Sequence, residues 1–206
     1  MKGNESDAII YEMVSRFANQ GNAEAQCILG YLEYTGQNPD GFIEEKKGVE
    51  LFRKSAEQGW ACGQYNYAWC IREGWCEEAT YTDPETGDEG LLDTEKANRI
   101  SFEWFMKAAL QEADKAQTAV GLAYLEGTGV ERNLEQALLW LNRAAEQGEV
   151  LAQRTLVNIY ADEEECKDVE KALYWARRAL NHLPDETGEL CLEMHILLPP
   201  NYGMAD

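Results

Sequence analysis

The chain has 206 residues, 45% of them hydrophobic, which is enough for one solid domain. Its formal net charge of −20 excludes ordinary nucleic-acid binding, because a phosphate backbone would be repelled, and disfavours an anionic membrane surface. No run approaches the ~18 apolar residues that a membrane span needs, and the opening MKGNESDAIIYEM carries early acids where a secretory signal needs an apolar stretch, so the expected location is cytoplasmic.

In chain order, residues 1–8 are polar and read as a loose start. Ile9 to Asn19 reads as a lone helix with Ile10, Met13, Phe17 and Ala18 on its core stripe. Residues 1–21 are therefore expected to cap the first helical pair. Residues 22–59 read as two helices joined by GQNPDGFIEEKKG, in which Asn38-Pro39-Asp40-Gly41 signals a turn. Residues 60–112 repeat that pattern around an acidic insertion at 75–96. Glu77, Glu78, Asp83, Glu85, Asp88, Glu89, Asp93 and Glu95 stand there against no base before Lys96, and Asp83-Pro84 and Thr86-Gly87 mark turns, so this stretch is an excursion and not a helix. Its acids do not fit the spacing of a calcium loop.

Residues 113–148 are the clearest unit. Ala116, Val120, Ala123 and Tyr124 fall on one helical stripe, and Gly121 beside it marks a close helix approach. Gly127-Thr128-Gly129 stops that helix, and Asn133 with Gln136 reads as a capping box for the next. Ala137, Trp140, Ala144 and Ala145 form the second stripe, which Gly148 closes. A hairpin of this kind cannot bury both stripes alone and needs stacked neighbours. Residues 149–182 supply another, with an acidic connector at Asp162 to Glu165 and Asp168 as a helix cap. Residues 183–206 read as a capping segment and tail, with a short helix over Glu189 to Leu198.

The units are copies of one another. Gly21/Gln26, Gly59/Gln64, Glu112/Gln117 and Gly148/Gln153 keep one spacing, and Trp104, Trp140 and Trp175 are each followed four residues on by Ala108, Ala144 and Ala179. The shared pattern, A-x-x-x-L-G-x-x-Y-x-x-G-x-G-V followed by A-x-x-W-x-x-x-A-A-x-x-G, resembles the Sel-one-like repeat family, a relative of the tetratricopeptide repeats. The resemblance covers about residues 10–182 and departs from the pattern at Glu33, which stands for the motif tyrosine, and at Leu51, which stands for the tryptophan. It implies an all-α, α/α solenoid, a right-handed superhelix of about four helix-turn-helix repeats with end caps. It also implies a non-catalytic protein-binding scaffold.

Two features bear on function. In this superfamily the first helix of each repeat lines the inner side, and the stripe beside the core stripe holds Cys27, Tyr31 and Tyr34; Tyr65, Trp69 and Arg72; Thr118, Leu122 and Leu125; Arg154, Asn158 and Ala161. Tyr, Trp and Arg dominate interface energetics, so Tyr31, Tyr34, Tyr65, Trp69, Arg72, Leu122, Leu125, Arg154 and Asn158 are candidate partner contacts. The competing reading is that these side chains pack on one another across a narrow groove. The second feature is an acidic loop edge that includes Glu77, Glu78, Asp88 and Glu89. Such an edge would steer a basic protein partner, and the competing reading is a merely solvated loop. Together they point to an inhibitor of the immunity-protein kind. A general adaptor is the alternative within the same class.

The recurring glutamines read as structural hydrogen-bond donors to the preceding repeat. The six cysteines, Cys27, Cys62, Cys70, Cys76, Cys166 and Cys191, do not recur at matched positions, unlike those of secreted relatives that staple each repeat. Cys62 and Cys70 would lie about 12 Å apart on one helix, too far for a bond. Reduced thiols are expected, with no metal and no cofactor. With only His182 and His195 and no nucleophile motif, catalysis is not expected, although a hydrolase of the cysteine-rich type is the rival from another class. A monomer is expected.

Overall fold

The computed structural model describes residues 5–81 and 90–182. Among these, the chain forms α1 (Glu5–Asn19), α2 (Ala23–Tyr34), α3 (Glu45–Glu57), α4 (Ala61–Arg72), β1 (Thr80–Tyr81), β2 (Leu91–Leu92), α5 (Thr94–Ala109), α6 (Asp114–Glu126), α7 (Leu134–Glu146), α8 (Val150–Asp162) and α9 (Val169–His182). Each helix packs mainly on the helix before and the helix after it, and α2 also touches α4. This is an α/α solenoid of helical hairpins. The predicted excursion is a 3₁₀ turn at Glu77–Ala79 and a two-residue antiparallel pairing of Thr80 with Leu92 and Tyr81 with Leu91. The short helix expected over Glu189 to Leu198 lies outside the described residues.

Small residues set the helix spacing. A Cβ on Gly121 would come within 2.6 Å of Leu141 Cγ, and one on Gly48 within 2.9 Å of the Gly30 carbonyl oxygen, so the two helices of a hairpin touch almost backbone to backbone. Large residues then fill the layers between hairpins. Trp140 packs with Val120 of its own hairpin and with Phe105 and Ala108 of the preceding repeat, while its neighbour Leu141 packs with Leu156 and Trp175 of the next. One side of each second-type helix thus faces backward along the stack and the adjacent side faces forward.

That rule explains a correction at the N-terminus. Ile10, Met13 and Phe17 are about half exposed, and of the expected stripe only Ala18 is buried. Tyr11 and Val14 pack on Ala25 and Leu29 instead. The expected positions correspond to the backward-facing side, and no described hairpin precedes α1 to cover it.

The glutamine spacing translates into a hydrogen-bond ladder. Gln26, Gln64, Gln117 and Gln153 each donate from Nε2 to the carbonyl of Ala18, Ala56, Ala109 and Ala145, eight residues back, at 3.2, 3.5, 3.3 and 2.9 Å. Gln58, Gln111 and Gln147 in turn donate to the Oε1 atoms of Gln26, Gln64 and Gln117. Helix-end carbonyls lose their intrahelical donors, and the buried amides replace them. Both N-caps form, with Asn133 Oδ1 accepting from the Gln136 N–H at 3.0 Å and Asp168 Oδ1 from the Lys171 N–H at 3.1 Å, but the predicted capping box does not close, because the Asn133 N–H donates to the Tyr124 carbonyl at 2.8 Å. Glu112, which stands where the other repeats have glycine, takes φ 62°.

Glu33 is no mere gap in the repeat pattern. Its side chain is 1% exposed, and its carboxylate accepts from Tyr11 Oη at 2.5 Å and Asn38 Nδ2 at 2.9 Å while pairing with Lys47 Nζ at 2.5 Å. The carboxylate therefore ties α1, the first inter-helix loop and α3 to α2. Burial pushes its pKa up, but the Lys47, Tyr11 and Asn38 hydrogen bonds outweigh it and hold the group below the ordinary carboxylate value. Among the described residues, no helix is long and apolar enough to cross a membrane.

Candidate functional site

Four of the candidate contacts meet in one cleft. Tyr65, Trp69 and Arg72 of α4 face Thr118 and Leu122 of α6 across an opening of about 550 Å³, with Phe102 and Phe105 of α5 along its wall and Glu149 and Leu151 at the start of α8 at one end. The spacing of four along α4 puts Tyr65 and Trp69 one turn apart on the same side. The rings lock one another: Tyr65 and Trp69 meet edge-on at 6.3 Å between centroids, and Phe105 lies 5.7 Å from Tyr65 and 5.8 Å from Trp69. The Arg72 guanidinium sits 3.6 Å from the centre of the Trp69 ring. Among the described residues, the carboxylate paired with it is that of neighbouring Glu73, 4.0 Å away. A stacked, weakly paired guanidinium keeps its donors free for an incoming acceptor.

The cleft also holds Lys115, Glu126 and Glu149 on its rim. Burial pushes the Tyr65 hydroxyl's pKa up. The Trp69 indole N–H is buried and has no hydrogen-bond partner among the described residues. The arrangement offers an apolar aromatic floor with a few polar groups around it, the composition expected of a recognition site. Among the described residues no group of three or more His, Cys, Asp or Glu side chains is placed to hold a metal ion.

Other candidates lie elsewhere. Tyr31 is half exposed on α2, outside the cleft. Tyr34 is packed between α2 and α3, 6.3 Å from Phe52 and 5.1 Å from Trp75 between ring centroids, so it is part of the hairpin seam and not of an open groove. Its repeat position is that of Arg72 in the next hairpin, so it is the ring contacts with Phe52 and Trp75, and not the helical position, that hold it in the seam. Leu125 packs against the core of the last hairpin. Arg154 is half-buried and Asn158 exposed on α8, and neither lines the cleft. Cys27, Thr118 and Ala161, on the same predicted stripe, are buried.

Glu77 and Glu78 are exposed at the start of the insertion, but Glu78 also accepts a 2.8 Å hydrogen bond from the buried Tyr67 hydroxyl and so helps anchor the excursion. Asp88 and Glu89 lie outside the described residues. Sequence reasoning missed Phe102 and Phe105, because only first helices were expected to line a groove, and it missed Lys115, which lies on the first-type helix α6 one turn before the stripe of Thr118, Leu122 and Leu125. The aromatic spacing of Phe102 and Phe105 on α5 was the available signal.

The Sel1 repeat family profile matches residues 23–60, 86–112, 114–149 and 167–182. Chitin synthase regulatory factor 3 of Schizosaccharomyces pombe is 32% identical over 146 residues, which is 71% of this chain but 14% of that protein. Two solved structures share the fold at 26% identity. A protective antigen of uropathogenic Escherichia coli with an SLR fold matches with a TM-score of 0.70, over 90% of this chain and 35% of that one. A Sel1 repeat protein from Oxalobacter formigenes matches with a TM-score of 0.64, over 84% of this chain and 64% of that one. The chain thus spans less than two thirds of each of these relatives.

Proposed function

The chain belongs to the Sel1 repeat family, and on that premise we propose that it is a non-catalytic module that binds another protein, with the α4–α6 cleft as the primary contact. The observation that carries this reading is the half-open aromatic cluster of Tyr65, Trp69, Phe102 and Phe105 with Arg72 stacked on it. Aromatic and arginine side chains held rigid beside an open cleft give large binding energy at small entropic cost.

The finer reading is an inhibitor of a basic protein. The net charge of −20 and the exposed acids at Asp40, Glu44, Glu45, Glu77 and Asp162 support it, since such a field raises the encounter rate with a cationic partner. A regulatory adaptor is the second reading, favoured by the likeness to a chitin synthase regulatory factor.

Capture from lysate on the immobilised full chain, eluted along a salt gradient, separates the two. A basic protein released by moderate salt supports the inhibitor, and a neutral one that resists salt supports the adaptor. Trp69→Ala combined with Arg72→Ala weakens capture of either by at least tenfold if the cleft is the contact. Unchanged capture by the double variant, folded by circular dichroism, overturns the cleft assignment.

A further inference from the structure

Away from the aromatic cluster, two cysteines from consecutive repeats meet. Cys27 is buried on α2 and Cys62 is exposed at the start of α4, with their sulfurs 2.9 Å apart. The Cys27 S–H donates to the Cys62 sulfur, and Asn66 Nδ2 donates to both, at 3.4 Å to Cys62 and 3.5 Å to Cys27. A disulfide needs the sulfurs at about 2.05 Å, so ~0.9 Å of closure separates this arrangement from a bond.

The two thiols are unequal. The hydrogen bond from Cys27 stabilises negative charge on Cys62 and lowers its pKa to about 7, against the opposing effect of burial, with Asn66 and the charge of Lys115 adding to it. The same hydrogen bond and burial push Cys27 upward, and Glu24 adds to that. Burial pushes Cys70 and Cys76 up to about 12, so those thiols stay protonated.

We propose that Cys27 and Cys62 form a paired-thiol oxidation site, at which a peroxide converts the two thiols to a disulfide tying α2 to α4. Cys62, the accessible member, attacks one oxygen of hydrogen peroxide. The O–O bond breaks, and with one proton the products are a Cys62 sulfenic acid and water. The Cys27 sulfur then attacks the sulfenic sulfur. The S–S bond forms as the S–O bond breaks, and the leaving hydroxide takes the Cys27 proton as a second water. Two thiols give up two electrons, and the peroxide is reduced to two waters. The bridge joins two first-type helices of successive repeats, and Lys115, whose charge favours the Cys62 thiolate, also stands on the rim of the cleft.

The test uses the full chain, reduced and freed of reductant, treated with one equivalent of hydrogen peroxide. It is then quenched with N-ethylmaleimide and digested by trypsin without reductant. The expected product is a linked Cys27–Cys62 peptide pair as the main species, reversed by dithiothreitol, with fragmentation separating Cys62 from Cys70 on their shared peptide. Cys27→Ser stops at a Cys62 sulfenic acid that dimedone traps, and Cys62→Ser leaves Cys27 unoxidised, both variants being checked by circular dichroism. Three outcomes overturn the proposal: Cys62 unmodified, Cys62 carried to sulfenic or sulfinic acid in the parent chain without linkage, or Cys62 paired as often with another cysteine.

Discussion

Glu33→Gln tests whether a departure from the repeat pattern is a structural device. The substitution keeps the side chain's shape, so it isolates charge and hydrogen bonding. The carboxylate accepts from Tyr11 and Asn38 and pairs with Lys47. A glutamine retains one acceptor oxygen, presents its amide to a former donor, and turns charge-assisted bonds into neutral ones. Bonds to charged groups contribute roughly 1.5–3 kcal/mol against about 1 kcal/mol for neutral ones, which suggests a loss of ~1 kcal/mol for each of two bonds. Lys47 is 53% exposed, so its pairing adds well under ~1 kcal/mol. The expected destabilisation at pH 7 is therefore about 2 kcal/mol. The pH dependence has a definite sign. Glu33 is held below its ordinary value in the folded chain, so its contribution is complete above the unfolded value of ~4.3 and is lost as pH falls through the folded one. Urea unfolding by circular dichroism at about pH 7 and about pH 2.5 measures the gap between parent and variant, and hydrogen exchange over α1–α3 localises it. A gap below about 0.5 kcal/mol at pH 7, or one of equal size at the acid pH, refutes the reasoning.

Three further outcomes are set by the geometry. Gly63→Ala puts a Cβ 2.6 Å from Ser55 Cβ and 2.9 Å from the Ala56 backbone nitrogen, which a side-chain rotation cannot relieve; a loss of about 2–3 kcal/mol in urea unfolding is expected, against ~1 kcal/mol for Gly21→Ala, where φ is 89° but nothing lies within 4 Å. Glu112→Gly relieves a left-handed backbone at φ 62° but gives up the 3.0 Å bond from Gln117 Nε2, so thermal unfolding is expected to rise by no more than the equivalent of about 1 kcal/mol. Iodoacetamide alkylation of Cys62 is expected to reach half its maximal rate near pH 7 and to increase above it, the thiolate being the reactive form; in Cys27→Ala, which removes the donor, the midpoint moves upward if the hydrogen bond from Cys27 sets it, and an unmoved midpoint rejects that cause.

The architecture was legible because stacked hairpins impose one set of demands on every copy. A close helix approach needs glycine or alanine, the layer between hairpins needs a large ring, and the exposed helix-end carbonyls need a buried donor. Gly121, Trp140 and Gln117 answer these in turn, and each recurs in register. What escaped the pattern is what one copy does alone. Ile10, Met13 and Phe17 sit in the repeat's apolar register, yet that register is a statement about an interior hairpin with neighbours on both sides, and it fails where no described neighbour precedes. Glu33 reads as a defect only when it is compared with the tyrosine elsewhere, since its partners Tyr11, Asn38 and Lys47 are scattered across a cap, a loop and a second helix.

The cleft and the thiol pair share a further cause of illegibility. Tyr65, Trp69 and Leu122 were found by aligning first helices, but the wall that makes them a cleft comes from Phe102 and Phe105 on a second-type helix. The alignment compares like with like and cannot show which unlike positions touch. Cys27 and Cys62 are the extreme case, because they occupy non-equivalent places in adjacent repeats and each looks solitary in its own copy. Only the offset between stacked hairpins brings the exposed start of α4 against the buried middle of α2. Repetition therefore discloses the scaffold, while reactivity and recognition arise where the copies differ, so substitutions at the unrepeated positions Glu33, Trp69 and Cys62 should separate stability, binding and oxidation as three independently movable properties.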